Sequence, residues 1–357
     1  MPEERKRLRE LGLRVGRFAT GSANALVDVP GVRVGHRTLL EGDSVRTGVT
    51  AVLPHGGNLY AEKVLGACHV VNGYGKAAGL SQLAELGTLE SPILLTSTVA
   101  VGAAWEGGLR HIIDENPEVA GDRDTVNVVV GECYDGWLSD ARSMPLRPEH
   151  ALDAIAGASE HEAAEGSVGA GTGTTCFGFK AGIGTASRVS ETEPALRLGC
   201  LVVANFGAPR DLHVLVGEAA AGEYGGDVPG HGGSIMAVLA TDAPLSERQL
   251  RRLAARAGLG LGRAGSFATN GSGEYAIAFS TAQRVPHRSD RSAHDFRFLR
   301  DDSVEMRQLF EMAAEATHEA LLGSLCSAGP MSGRDGHSVE AIPYELLRQA
   351  PRLVPAG

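Results

Sequence analysis

Gly230-His231-Gly232-Gly233-Ser234-Ile235-Met236-Ala237-Val238-Leu239-Ala240-Thr241 sets a flexible glycine run directly against an unbroken apolar segment. Six apolar residues in a row before Thr241 predict a buried strand, the kind found inside a layered fold. Glycine leaves the hydroxyl of Ser234 sterically open, and the strand behind it would hold the residue rigidly. Both suit a nucleophile. Cleavage of the Gly233–Ser234 bond would also give Ser234 a free α-amine, whose ordinary pKa near ~8 lets it serve as the base for its own hydroxyl. Read locally, Gly-Gly-Ser is equally a common turn before a strand.

Outward from this segment, extended structure is predicted over Asn24–His36, Val49–Leu53, Ile93–Ser97, Val126–Val130, Leu201–Asn205 and Tyr275–Ser280. Helices are predicted over Lys76–Leu86 and Pro148–Ala158. Another should follow the Ser246-x-x-Gln249 capping box, and a long amphipathic one is marked by Met306, Leu309, Phe310, Ala313, Ala320 and Leu321. Strands outnumber helices and the two are mixed, so a layered α/β or α+β fold is expected. No linker is evident, which favours one domain over residues 1–357. Residues 1–20 read as an exposed leader or short helix.

The composition narrows the function classes. A formal net charge of -10 disfavours nucleic acid and anionic membrane as partners. The charged N-terminus has no apolar signal region, no stretch of about 18 apolar residues occurs, and the five cysteines form no C-x-x-C pair. A cytoplasmic protein with buried thiols is expected. The histidines and cysteines lack zinc spacing, so neither metal nor cofactor is expected.

Four further strings carry candidate chemistry. In Asn270-Gly-Ser-Gly-Glu274, an extended backbone would put Ser272 and Glu274 on one face, where a hydroxyl beside a carboxylate can hold or relay a proton. Asn205 ends a predicted strand, and its amide could donate to an oxyanion. In Glu132-Cys133-Tyr134, the carboxylate could hold a substrate ammonium and the phenol could bond the reacting group. Each string has an ordinary structural reading as a turn or surface residue. The glycine-rich stretch from Gly169 to Thr174 lacks both dinucleotide and P-loop spacing, and reads instead as close backbone packing around a site.

Together these strings resemble, in order and over nearly the whole chain, the DmpA-like aminopeptidases (P1 family peptidases): DVPGVRVGH, GECYDGWLSDAR, GSVGAGTGTTCFGFKAGIGTASR, VVANFG, GGSIMAVLATDAPLSERQLRRLA, NGSGEYAIAFST and MSGRDG. The resemblance implies an αββα four-layer sandwich akin to N-terminal-nucleophile hydrolases, with different connectivity. It implies self-cleavage into an α chain of residues 1–233 and a β chain of residues 234–357, with Ser234 as the nucleophile of both cleavage and hydrolysis. Ser272 and Glu274 match the supporting pair, Asn205 the oxyanion asparagine, and Glu132 and Tyr134 the substrate-binding positions. The expected substrates are small peptides or aminoacyl amides and esters, and the expected assembly is four αβ units. Two rival readings are an acyltransferase of the ornithine acetyltransferase type, whose threonine nucleophile differs from Ser234, and a non-catalytic ligand-binding protein on the same fold.

Overall fold

The computed structural model describes residues 5–122, 124–212, 233–348 and 354–355. Ten strands build two sheets: β1 (Arg33–Glu41), β2 (Val45–Leu53), β3 (Glu62–Gly73), β4 (Thr88–Leu89), β5 (Ile93–Ser97), β6 (Val129–Cys133), β7 (Ile183–Val189), β8 (Arg197–Asn205), β9 (Gly233–Thr241) and β10 (Ser272–Pro286). The larger sheet runs β7-β8-β9-β10-β3-β4 and the smaller β1-β2-β5-β6. The helices that cover them are α1 (Leu80–Leu86), α2 (Val101–Glu115), α3 (Pro148–Ala156), α4 (Glu247–Ala264) and α5 (Val304–Cys326), with a short one at Tyr344–Arg348 near the C-terminal end of the described residues.

Strand periodicity dictates the layers, because successive side chains leave a strand on opposite faces. Met236, Val238 and Ala240 of β9 enter a core shared with Val34, Val52, Ile93, Leu95 and Val129 of the smaller sheet. Ile235, Ala237 and Leu239 enter a second core with Leu250, Leu253 and Ala257 of α4 and Leu309, Met312 and Ala316 of α5. A third core joins Ala51, Leu94 and Val130 to Ala104 of α2 and Ala151, Ala154 and Ile155 of α3. Three cores between four layers give the expected αββα sandwich. Two adjacent strand pairs, β9/β10 and β5/β6, are parallel. Each pair is bridged by a crossover helix, α4 in one and α2 in the other, as parallel pairing requires.

β9 sits inside the larger sheet, antiparallel to β8 and parallel to β10. It is fully buried from Ile235 to Ala240. Its larger side chains each contribute roughly 1.5–3 kcal/mol of burial. β7 and β8 on one side and β3 and β4 on the other come from before Gly233, whereas β9 and β10 come from after it.

The structure departs from the sequence reading at several ends. Asn24–His36 is not one extended run: a short 3-10 turn at Leu26–Asp28 precedes β1, and Asp28 accepts from the backbone N–H groups of Ala23 and Ala25. The helix expected from Lys76 begins only at Leu80, after Gly79 at φ 78°. β6 runs later than predicted, reaching Cys133 and so carrying Glu132 in the strand. The helix after Ser246 forms with its capping box complete.

Over its described residues, 5–20, the leader forms the short helix, a 3-10 turn at Leu8–Leu11, and packs onto the fold rather than standing free. Leu8, Leu13, Val15 and Phe18 are buried against α5 and its neighbours. Charge pairing completes the cover: Arg9 bonds Glu319 at 2.7 Å, and the wholly buried Arg188 bonds Glu315 at 3.1 Å and Glu319 at 2.7 Å. α5 is therefore buried on every side from Met312 to Cys326 rather than amphipathic. All five cysteines are free and buried. Among the described residues no helix is long and apolar enough to cross a membrane.

α5 lies on β7 with no space between them, since a Cβ on Gly184 would come within 1.8 Å of the Ala320 carbonyl oxygen. Gly184→Ala is expected to lower unfolding free energy by about 1–3 kcal/mol or more in urea titration. Gly102→Ala, which meets nothing within 4 Å in helix α2, should be neutral or slightly stabilising.

Candidate active site

Strand ends from both sheets converge on Ser234. Asn205, at the end of β8, pairs directly with Ser234 at the start of β9. The end of β6 arrives from the smaller sheet, where a Cβ on Gly131 would lie 2.4 Å from the Met236 side chain. The sheets thus touch at this point. Beyond it opens a cavity of about 610 Å³ lined by Glu132, Tyr134, Trp137, Thr175, Asn205, Ser234 and Arg334 among others. Gly233 belongs to the same wall, and a side chain there would strike Phe206 and the Asn205 carbonyl at 2.6–2.7 Å. Only glycine fits immediately before the serine.

Ser234 is 3 % exposed, and its Oγ accepts the Tyr134 backbone N–H at 3.0 Å. The contact from Tyr134 is therefore main-chain; its phenol is half exposed at the cavity mouth, since the strand carrying Glu132 ends at Cys133. Cys133 is buried beside Ser234, bonds the Val203 carbonyl at 3.2 Å, and has its thiol pKa pushed up by burial. It is held as a neutral packing group. Glu132 is 4 % exposed. One of its oxygens accepts the Lys76 backbone N–H at 2.9 Å and the other the Thr98 hydroxyl. These neutral donors fix the carboxylate without neutralising it, so it can receive a cation from the cavity.

Asn205 is oriented by a chain of buried contacts. Its Oδ1 accepts the Thr175 N–H at 3.0 Å, which leaves the Nδ2 hydrogens as its donors. Thr175 pairs with Lys180 in a two-residue ribbon. Lys180 is fully buried, with Nζ donating to the carbonyls of Gly171, at 3.2 Å, and Ala181. The Thr172 and Thr174 hydroxyls close the same glycine-rich turn on Gly169 O, at 2.6 Å, and Gly171 O, at 3.2 Å. This stretch is the tight packing expected of it, and it supports the asparagine from below.

Ser272 and Glu274 do not face the cavity. On β10 they share the parity of Ala276 and Ala278, which belong to the helix-side core, whereas Ser234 shares that of Met236 on the inter-sheet side. Gly271 and Gly273 line the cavity in their place. The Glu274 Oε1 accepts Ser272 Oγ at 3.1 Å and Ser266 Oγ at 2.7 Å, next to a small separate cleft with Phe206 and Asp211. Burial raises the Glu274 pKa, and the two hydroxyls pull it back. The pair does sit together, one strand from the serine and across the sheet. His231 lies outside the described residues.

The sequence reading passed over two buried charges near the site. Asp135, beside Tyr134, accepts Thr47 Oγ1 at 2.5 Å and Ser97 Oγ at 2.7 Å, and burial pushes its pKa up to about 6. Burial pulls the Lys180 pKa down to about 7, opposed by the charge of Asp135. The signal for Lys180 was a lone charge inside an apolar, glycine-rich run.

One cleft thus brings together a hydroxyl whose oxygen accepts a backbone N–H, an amide with donors to spare and a carboxylate held by neutral donors. The comparisons place it further. Residues 24–339 match peptidase family S58. The β-peptidyl aminopeptidase BapA of Sphingosinicella microcystinivorans is 38% identical, over 97% of this chain and 91% of that protein. The solved Burkholderia sp. β-aminopeptidase superposes with TM-score 0.88 at 36% identity, covering 97% and 98% of the two chains. The L-aminopeptidase D-Ala-esterase/amidase of Ochrobactrum anthropi, described as a prototype for the serine aminopeptidases and a new variant among the Ntn hydrolase fold, superposes with TM-score 0.87 at 34% identity, covering 98% and 99%. The chain belongs to peptidase family S58, and it is an aminopeptidase with the Ntn-variant fold.

The Lys180 shift sets a pH dependence. Between about 7 and the ordinary lysine value of 10.5 the unfolded chain holds a proton the folded one lacks, so stability rises with pH across that window. Lys180→Met removes this contribution. The melting temperature of the wild-type protein relative to the variant should therefore climb from pH 7 to pH 9, measured by thermal melts in matched buffers.

Proposed function

We propose that the chain cuts itself between Gly233 and Ser234, and that the Ser234 so exposed hydrolyses aminoacyl amides, esters or short peptides through an acyl-enzyme. The observation that carries this reading is the meeting of the Ser234 hydroxyl, the Asn205 amide and the Glu132 carboxylate in one cavity at the head of a buried strand. In the precursor the Ser234 Oγ attacks the Gly233 carbonyl carbon. The C–N bond breaks, the hydroxyl proton passes to the departing nitrogen, and Gly233 is left esterified to Oγ. Water then hydrolyses the ester, yielding an α chain of residues 1–233 and a β chain of residues 234–357.

In the mature enzyme the freed amine of Ser234 is the base that takes the hydroxyl proton. Asn205 Nδ2 donates to the oxyanion, a contact of the kind worth roughly 3 kcal/mol in the transition state. Glu132 receives the substrate ammonium, which restricts attack to the first residue. Water releases the acyl group as the acid. Ser272 and Glu274, on the far face of the adjacent strand, serve as positioning residues: their hydroxyl–carboxylate pair fixes the start of β10, against which the new N-terminus lies. Tyr134 contributes its N–H to Ser234 and its ring to the cavity mouth. The working form is a cytoplasmic assembly of four αβ units, and its substrates are small peptides or aminoacyl derivatives. The names of the relatives above support acyl groups of both β- and α-amino acids.

Intact mass is the direct test: purified protein should give two fragments, the second beginning at Ser234, while Ser234→Ala stays whole and inactive. A full-length preparation with normal turnover of aminoacyl p-nitroanilides overturns the scheme. Glu132→Gln, which keeps the shape but not the charge, should still cut itself. Its kcat/KM on alanyl p-nitroanilide should fall by about tenfold or more, mostly through KM.

A further inference from the structure

The cavity that holds Glu132 also carries a cationic side that, among the described residues, is paired with no buried anion. Lys76 is already committed, its Nζ donating to the Tyr74 carbonyl at 2.9 Å and lying 4.2 Å from the Tyr74 ring centre. Arg334 is not. Its Nε is buried and has no partner among the described residues, and the carboxylate recorded within ion-pair range is Asp335 at 3.7 Å, itself 70% exposed. The indole Nε1 of Trp137, on the same cavity wall, is likewise buried and unpartnered. Buried donors are almost always matched, so two of them at one cavity, one belonging to a guanidinium, call for an anionic acceptor.

Both groups are held in place before anything binds. The Trp137 ring stacks on His337 at 3.9 Å and 7°, and His337 Nδ1 bonds the Trp137 carbonyl at 2.8 Å. The Arg334 N–H donates to Leu138 O at 3.0 Å, and the His337 N–H to Arg334 O at 3.0 Å. Gly333 is pressed so close that a Cβ would lie 2.0 Å from the Leu138 carbonyl. Asp335 closes the loop at φ 55°, a left-handed conformation costly for a residue with a side chain. Strain is tolerated here in a loop that delivers a guanidinium to the cavity.

We propose that Arg334, with the indole N–H of Trp137, binds the free carboxylate of the leaving amino acid, making dipeptides with a free C-terminus the preferred substrates. This rests on the function proposed above, with the substrate amine on Glu132 and its scissile carbonyl at Ser234. A zwitterionic dipeptide then meets a charge of opposite sign for each of its own.

The test compares kcat/KM for alanyl-alanine and alanyl-alanine amide. The wild-type enzyme should favour the free acid by about tenfold or more, and Arg334→Gln should lower that ratio by a similar factor. Arg334→Lys should restore part of it, and Trp137→Phe, which keeps the stacked ring, should lower it about threefold. The fraction of each variant that has cut itself reports folding independently of the ratio. An unchanged ratio in Arg334→Gln overturns the proposal. So does a loss confined to aspartyl amide against asparaginyl amide, which would assign Arg334 to an acidic acyl side chain. A Ser234→Ala protein that still hydrolyses both peptides would instead remove the underlying mechanism. An inactive one alongside an unmoved ratio removes the carboxylate site alone.

Discussion

Burial of β9 on both faces is the constraint on which the rest of the structure depends. A strand that packs one side against a second sheet and the other against two helices cannot shift register without exposing both sets of side chains. Its first residues are thereby fixed to within the tolerance of a packed core. That is what turns an ordinary Gly-Gly-Ser sequence into a serine of defined position, with Asn205 locked opposite by strand pairing and Tyr134 delivered from the facing sheet.

The surroundings extend the same logic outward. Asn205 is aimed by Thr175, Thr175 by its pairing with Lys180, and Lys180 by carbonyls of the glycine-rich turn. A buried lysine is costly to hold in its charged form. Here its hydrogen bonds join its own ribbon to the glycine-rich turn, and its position inside a glycine-rich region follows from how closely those backbones approach. Glu132 is handled differently: neutral donors, the Lys76 N–H and the Thr98 hydroxyl, hold its oxygens at the wall of the cleft.

Much of this was legible in the residues. The apolar run after Ser234 announced a buried strand, the Ser246 box announced α4, and the ordered set of short motifs announced the family. The placement of Ser234, Asn205 and Glu132 around one cleft follows from reading each at the end or start of a strand. Other features were not legible. The leader looks exposed because its arginines dominate its composition, yet Arg7, Arg9 and Arg17 are matched by Glu165, Glu319 and Glu311, residues far along the chain that no local pattern connects to it. Ser272 and Glu274 were correctly paired by strand periodicity. Which face they share is decided by the register of β10 against its neighbours, and that placed them away from Ser234. For Tyr134 the side chain drew attention, while its contact with Ser234 is made by the backbone N–H.

The order of strands in the larger sheet has a consequence for the proposed two-piece protein. The strands that follow Gly233 are flanked on either side by strands that precede it, so the fragments would be interwoven. Neither could leave without tearing ladder hydrogen bonds along two seams and wetting both cores. Folding would have been completed as a one-body process, whereas recovery from full denaturation would require two polymers to find each other and thread into register. If the proposed cut is made, maturation at that bond would work as a one-way door: the active form would owe its persistence to the height of the barrier out of it, and its only practical route in would run through the unbroken precursor.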